Sequence, residues 1–158
     1  MAIYVKIDGV DGDVTAAGHE GWIHCDSMSW GVSRAIGNPT GSAKERESSA
    51  PMVQDVSFSK PMDSATPLLF QEACVGKSKL VDIHLVQTGA DQLDTYMEYK
   101  LTNALVSSYS MSSSGDRPME SFSLNFTKIE SKYTPFDDEH NAGSPMSAGY
   151  DLAAGKKV

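Results

Sequence analysis

The stretch from Leu101 to Lys132 alternates apolar and polar residues on both sides of a central break, a period of two that fits paired strands and not an amphipathic helix. In its first half Leu101, Leu105, Tyr109 and Met111 share one face, against Ser108, Ser110 and Ser112 on the other. In its second half Phe122, Leu124 and Phe126 oppose Ser121, Ser123, Asn125 and Thr127, and Gly115-Asp116-Arg117-Pro118 supplies the turn. This is a long β-hairpin with a polar face nearly free of charge. Solvent-facing strands ordinarily carry Lys, Glu or Arg, partly to prevent sheets from pairing edge to edge. A long serine-rich face without them points to a surface that meets something regular; an ordinary solvated sheet is the plainer alternative.

The rest of the chain reads the same way. A first strand covers Ala2 to Ile7. In the long strand expected from Gly21 to Ile36, Ile23 and Cys25 are apolar at odd positions, whereas Met28 and Trp30 are apolar at even ones. That switch near Asp26-Ser27 marks a β-bulge, a device that bends strands and lets a sheet curl. Past it, alternation turns Ser27, Ser29 and Gly31 away from the core side taken by Met28 and Trp30. Residues 37–50 show no apolar periodicity and form a long exposed loop, of a length that is usually functional or disordered. Strands follow at Met52 to Lys60, Lys79 to Gln87 and Thr95 to Leu101, with a last short one at Ala148 to Leu152. The single helix starts at Thr66-Pro67, runs through Leu68, Leu69, Phe70, Ala73 and Cys74, and stops at a left-handed Gly76. A helix that short is held by packing, so it plugs one end of the β-structure. Trp30, Phe58 and Leu69 are expected in one core. The fold class is all-β, a sandwich or small two-sheet β-barrel with one short flanking α-helix, in one domain over residues 1–158.

The formal charge of −8 and the absence of a basic cluster argue against nucleic acid and anionic membrane as partners, since both are bound through Lys and Arg. No apolar run approaches the ~20 residues of a membrane-spanning helix. The N-terminus enters a strand at once, without a signal-peptide pattern, so the protein is expected to be made in the cytoplasm. Cys25 and Cys74 have no metal or redox spacing and read as two reduced core residues.

Chemistry-bearing motifs fail one by one. Gly76-Lys77-Ser78 resembles the tail of a phosphate loop, but residue 71 is Gln where glycine is needed, and the tripeptide ends a helix instead of starting one. Asp8, Asp11 and Asp13 are out of step with a calcium loop, Glu20 falling one residue late, and read as a turn. The four histidines show no ligand spacing, and neither a nucleophile elbow nor a Cys-His signature is present. No enzyme, metal site or cofactor is expected.

Several segments together resemble the Hcp family, the haemolysin-coregulated tube proteins of type VI secretion systems. They are Ile7-Asp8-Gly9-Val10 with Gly12; Ser27-Met28-Ser29-Trp30-Gly31-Val32; Gln54-Asp55-Val56-Ser57-Phe58 with Lys60, Asp63 and Thr66-Pro67-Leu68; Leu105 to Ser110 and Glu120 to Glu130; and Gly149-Tyr150-Asp151-Leu152 with Lys156-Lys157. The resemblance spans the chain in register. It implies a two-sheet barrel with one helix, a homohexameric ring, and stacking of rings into a tube. It further implies a contractile sheath that drives the tube out, a spike protein at its tip, effector proteins carried in the lumen, and export without a signal peptide. On this reading Ser27, Ser29 and Gly31 line the channel and meet cargo. Gly41, Lys44, Glu45, Arg46 and Glu47 form a loop that contacts a neighbour within or between rings. Two other readings stay open: a phage-type tail-tube subunit, and a monomeric β-barrel holding a small ligand among Trp22, Trp30 and Phe58.

Overall fold

The computed structural model of the chain describes residues 1–38, 41 and 48–158. In chain order the elements are β1 (Ala2–Ile7), β2 (Ile23–Cys25), β3 (Ser27–Ser29), β4 (Val32–Ser33), β5 (Met52–Val53), β6 (Val56–Pro61), α1 (Thr66–Val75), β7 (Lys79–Thr88), β8 (Leu93–Ser112), β9 (Met119–Asn125), β10 (Lys128–Tyr133), β11 (Met146–Asp151) and β12 (Lys156–Lys157).

One strand organises the rest. β8 is 20 residues long. Its first half pairs with β7 and β10, and its second half pairs with β9, so it belongs to two sheets at once. The first sheet runs β12-β11-β10-β8-β7-β1-β2, and the second comprises β3, β6, β9 and the far end of β8. All these pairings are antiparallel. Where β8 passes between sheets its regularity breaks twice: Asn103 takes a positive φ of 54°, and the ladder to β9 slips between Val106 and Ser108. Each irregularity shifts the side-chain phase by one. Ala104 and Val106 therefore turn toward the core while Leu105 is exposed, the reverse of its place in a simple alternation from Leu101.

The class is all-β with one flanking helix, as expected, but the two sheets do not close into a barrel. Among the described residues β2 pairs only with β1 and β3 only with β6, and Asp26 stands between them, its N–H bonded to the Ser59 carbonyl at 2.7 Å. The chain changes sheet at that residue, so one ladder ends at Cys25 and the other begins at Ser27. The phase switch falls here too, with Ile23 and Cys25 buried and Ser27 and Ser29 exposed, but it is a crossing between sheets and not a bulge within one long strand from Gly21 to Ile36.

The core between the sheets joins Val5, Ile7, Ile23, Val56, Phe58, Leu69, Ile83, Leu101, Phe122 and Leu124, with Phe58 stacked on Phe122 at 4.9 Å between ring centroids. Helix α1 enters this core through Leu69, while Phe70, Cys74 and Val75 are exposed. Phe70 is thus not part of the plug, and of the two free cysteines only Cys25 is a core residue. Gly76 is not the expected left-handed stop, since its φ is −66°. Its constraint is proximity: a Cβ there would lie 2.3 Å from the Glu72 carbonyl oxygen.

Candidate functional site

Four strands of the second sheet each carry Ser-x-Ser, and the register brings all four into line. Ser27 pairs with Ser59, Ser59 with Ser121, and Ser121 with Ser110. Beside that row Ser29 pairs with Ser57, Ser57 with Ser123, and Ser123 with Ser108. The outer face is therefore a lattice of two rows of four serines, flooring a shallow depression. On the opposite face the intervening row, Met28, Phe58, Phe122 and Tyr109, packs against or within the core. Period-two alternation of apolar and hydroxyl residues is what lets one sheet do both.

At the two ends of the lattice, neighbouring hydroxyls bond one another. Ser27 and Ser59 are 2.5 Å apart, and Ser123 lies 2.7 Å from Ser107 and 2.6 Å from Ser108. The bulge that doubles Ser107 and Ser108 opposite Ser123 also sends the Ser107 hydroxyl to the Asp55 carboxylate at 2.6 Å, whose other oxygen accepts from Asn125 at 2.9 Å. Asp55 stands at the edge of the lattice; within the two rows there is no formal charge.

The outer face of the first sheet is built on the opposite rule. Lys6, Asp82, Lys100 and Glu130 lie in one cross-strand row of alternating sign. A second row runs His24, Tyr4, His84, Glu98 and Lys132, with Lys132 3.5 Å from Glu98. Such pairing of opposite charges across strands suits a surface in water. The hydroxyl lattice is the exception on this molecule, and Ser27 and Ser29 lie in it. Gly31 lies just past β3, its carbonyl accepting from the Gln54 N–H at 2.8 Å. Phe58 and Leu69 are in one core, whereas Trp30 is half-buried at its margin, against Tyr99 at 5.6 Å between rings. Gly41 is exposed with φ +82°; Lys44, Glu45, Arg46 and Glu47 lie outside the described residues. The three aromatics considered for a ligand cavity have separate partners: Trp22 meets His19 and His84, Trp30 meets Tyr99, and Phe58 meets Phe122.

Beneath one end of the lattice is a polar cluster whose members the sequence contained but whose burial it did not announce. Lys60 and Glu120 are both fully buried with Nζ 2.5 Å from the carboxylate, and Asp63 lies 2.9 Å from the same ammonium. Thr66 donates to Glu120 at 2.7 Å, and Tyr109 donates to its other oxygen. Burial pushes the Glu120 carboxyl up, but the hydrogen bonds from Lys60, Tyr109 and Thr66 outweigh it and hold the group below the usual carboxylate range. The same contact pushes the Tyr109 hydroxyl up to about 12, burial being the larger cause. Glu120 thus fixes β6, β9, β8 and the start of α1 together. Among the described residues no group of three or more His, Cys, Asp or Glu is placed to hold a metal ion.

These features define an all-β subunit of two antiparallel sheets and one flanking helix. A solved structure described as a type six secretion system protein superposes with a TM-score of 0.91 at 26% identity, covering 99% of each chain. Hcp1 from Salmonella typhimurium superposes at 0.80 with 26% identity, covering 99% of this chain and 98% of that one. In sequence the chain is 33% identical over 104 residues to Protein hcp1 of Pseudomonas aeruginosa, a match covering 63% of this chain and 64% of that protein. Residues 4–133 match the family described as type VI secretion system effector, Hcp. The chain belongs to the Hcp family.

Proposed function

We propose that the chain is a tube-building subunit of a type VI secretion apparatus: six copies close into a ring, rings stack, and the hydroxyl lattice lines the channel. The observation that carries this reading is the pairing of two unlike outer faces on one subunit, one paved with serine and the other with alternating charges. A channel that passes many different proteins must stay wet without gripping any of them through fixed charge, and small uncharged hydroxyls meet both needs. The width is consistent. At about 4.8 Å per strand, four strands span about 19 Å, and six such sheets side by side enclose a passage about 37 Å across, measured between backbones. That is wide enough for a small folded protein.

A heterologous contact that closes gives the ring, and a second one between ring faces gives the open-ended stack. Gly41, Lys44, Glu45, Arg46 and Glu47 are assigned to such a contact, the mixed charges giving a docking weakened by salt. Effectors in the lumen, a spike at the tip and a sheath outside are the remaining partners, and the subunit leaves the cell with the tube. Its role is structural and not catalytic. Light scattering with negative-stain microscopy tests the proposal. A mass near six subunits and annular particles are expected; a monomer at high micromolar concentration without rings would overturn it.

A further inference from the structure

Between β1 and β2 the chain makes an excursion over the charged face of the first sheet, and within residues 11–21 His19 is the one buried residue. Gly18 and Gly21 flank its approach with φ of +83° and +79°, a conformation open to glycine at little cost. The backbone bonds of residues 14–22 are local to the excursion: His19 N–H to Ala16, Gly21 N–H to Val14, Trp22 N–H to His19, Val14 N–H to Trp22. Buried Trp22, its ring 4.6 Å from that of His84, anchors the C-terminal end of this flap, and within the flap the hold is the His19 ring. Its Nε2 lies 3.0 Å from His84 Nδ1, its ring is 5.0 Å from that of Tyr4 and 4.7 Å from that of Trp22, and its Nδ1 is buried with no hydrogen-bond partner.

We propose that His19 and His84 form an acid-released latch, which holds the 13–22 flap on the sheet while their shared contact carries one proton and frees it when both rings are charged. The tautomers follow from the partners. His84 Nε2 faces the Glu98 carboxylate at 3.2 Å, so that nitrogen carries the hydrogen and Nδ1 is left as an acceptor. His19 Nε2–H therefore donates to it. A neutral pair makes one good N–H···N bond; two imidazolium rings place N–H against N–H and charge against charge at the same 3.0 Å.

The surrounding charges grade the response. Glu98 and Asp82 favour a charged His84, and His19 and Lys132 oppose it; the Ala17 backbone and Glu20 favour a charged His19. His24, on β2 at the far side of Tyr4, lies 3.3 Å from Asp26, just past the end of that strand. Burial outweighs these influences and lowers both rings below the ordinary histidine range. The docked flap accordingly binds fewer protons than the released one, so docking is complete above about pH 6.5 and weakens as pH falls below it.

The test uses the full chain carrying Trp30→Phe, which leaves Trp22, a direct neighbour of both rings, as the sole tryptophan. Between about pH 7.5 and 4.5 its emission is expected to change reversibly, with a midpoint below about 6.5. Over the same range, amide protection in residues 13–22, corrected for intrinsic exchange, should fall at least tenfold while β7 and β8 stay protected. The pair His19→Gln/His84→Gln keeps hydrogen-bonding side chains but cannot titrate, and should abolish both changes while its circular dichroism at neutral pH matches the parent. Three results would each overturn the proposal: no change in the parent, a change that persists in the double glutamine variant, or loss of protection in β7 and β8 together with the flap.

Discussion

Lys60 and Glu120 oppose each other across the β6–β9 ladder, side chains wholly buried and 2.5 Å apart, on the face where their strands otherwise present Phe58, Phe122, Val56 and Leu124. Two charges in such a place are held by the completeness of their bonding. Asp63 answers the ammonium, and Thr66 and Tyr109 answer the carboxylate. Replacing Glu120 by Leu alone leaves the Lys60 charge without its closest partner and is expected to cost about 3–5 kcal/mol in denaturant unfolding. Pairing it with Lys60→Met should recover most of that loss. If the double variant is no better than the single, the two residues do not act as a pair.

Acid should attack the same cluster. Because the folded-state pKa of Glu120 is depressed, its contribution is fully present above the ordinary glutamate value of about 4.3 and is lost as pH falls below that toward the folded value. Unfolding midpoints measured from pH 6 to 3 should drop most steeply below about pH 4.3, and the Lys60→Met/Glu120→Leu variant should show a shallower drop.

Ser29→Arg places a charge in the exposed serine lattice without disturbing the core beneath it. Stability should change by no more than about 0.5 kcal/mol. Rings should form as before, and retention of a lumenal effector in a pull-down should fall. Unchanged retention would move the cargo surface elsewhere.

Core truncations should separate two aromatics that look alike in sequence. Phe58→Ala removes a buried ring stacked on Phe122 and should cost about 3–5 kcal/mol. Trp30→Ala removes a half-buried ring at the margin and should cost less, about 1–3 kcal/mol. Chemical denaturation of both variants checks the order.

What could be read from the sequence was whatever depends on neighbours two residues apart. β1 has the expected bounds, the phase switch at Asp26 falls where Ile23, Cys25, Met28 and Trp30 placed it, and the hairpin turns between Ser112 and Met119. What alternation could not give was register between distant strands. Ser-x-Ser recurs along the chain, yet only pairing across the sheet aligns Ser27, Ser59, Ser121 and Ser110 into a row. Leu105 was misplaced because Asn103 and Ser107 each add a residue out of phase, which a hydrophobic pattern alone does not reveal. Gly76 read as a conformational stop because glycine ends many helices that way, whereas here the nearness of the Glu72 carbonyl demands it. The burial of Lys60 and Glu120 is not legible in the sequence, since a buried charge is recognisable only once its partner, 60 residues away, is in place.

The continuity of β8 through both sheets has a mechanical meaning. A push along one sheet reaches the other through an unbroken backbone, and sliding the two apart requires the ladders to β7, β10 and β9 to yield along the same strand. Load applied in that direction is spread over many hydrogen bonds at once, as in shear, instead of opening them one after another as a zipper does. A subunit thrust forward as part of a column would be stiff along that strand, with Asn103 and Ser107 as the two joints where it bends.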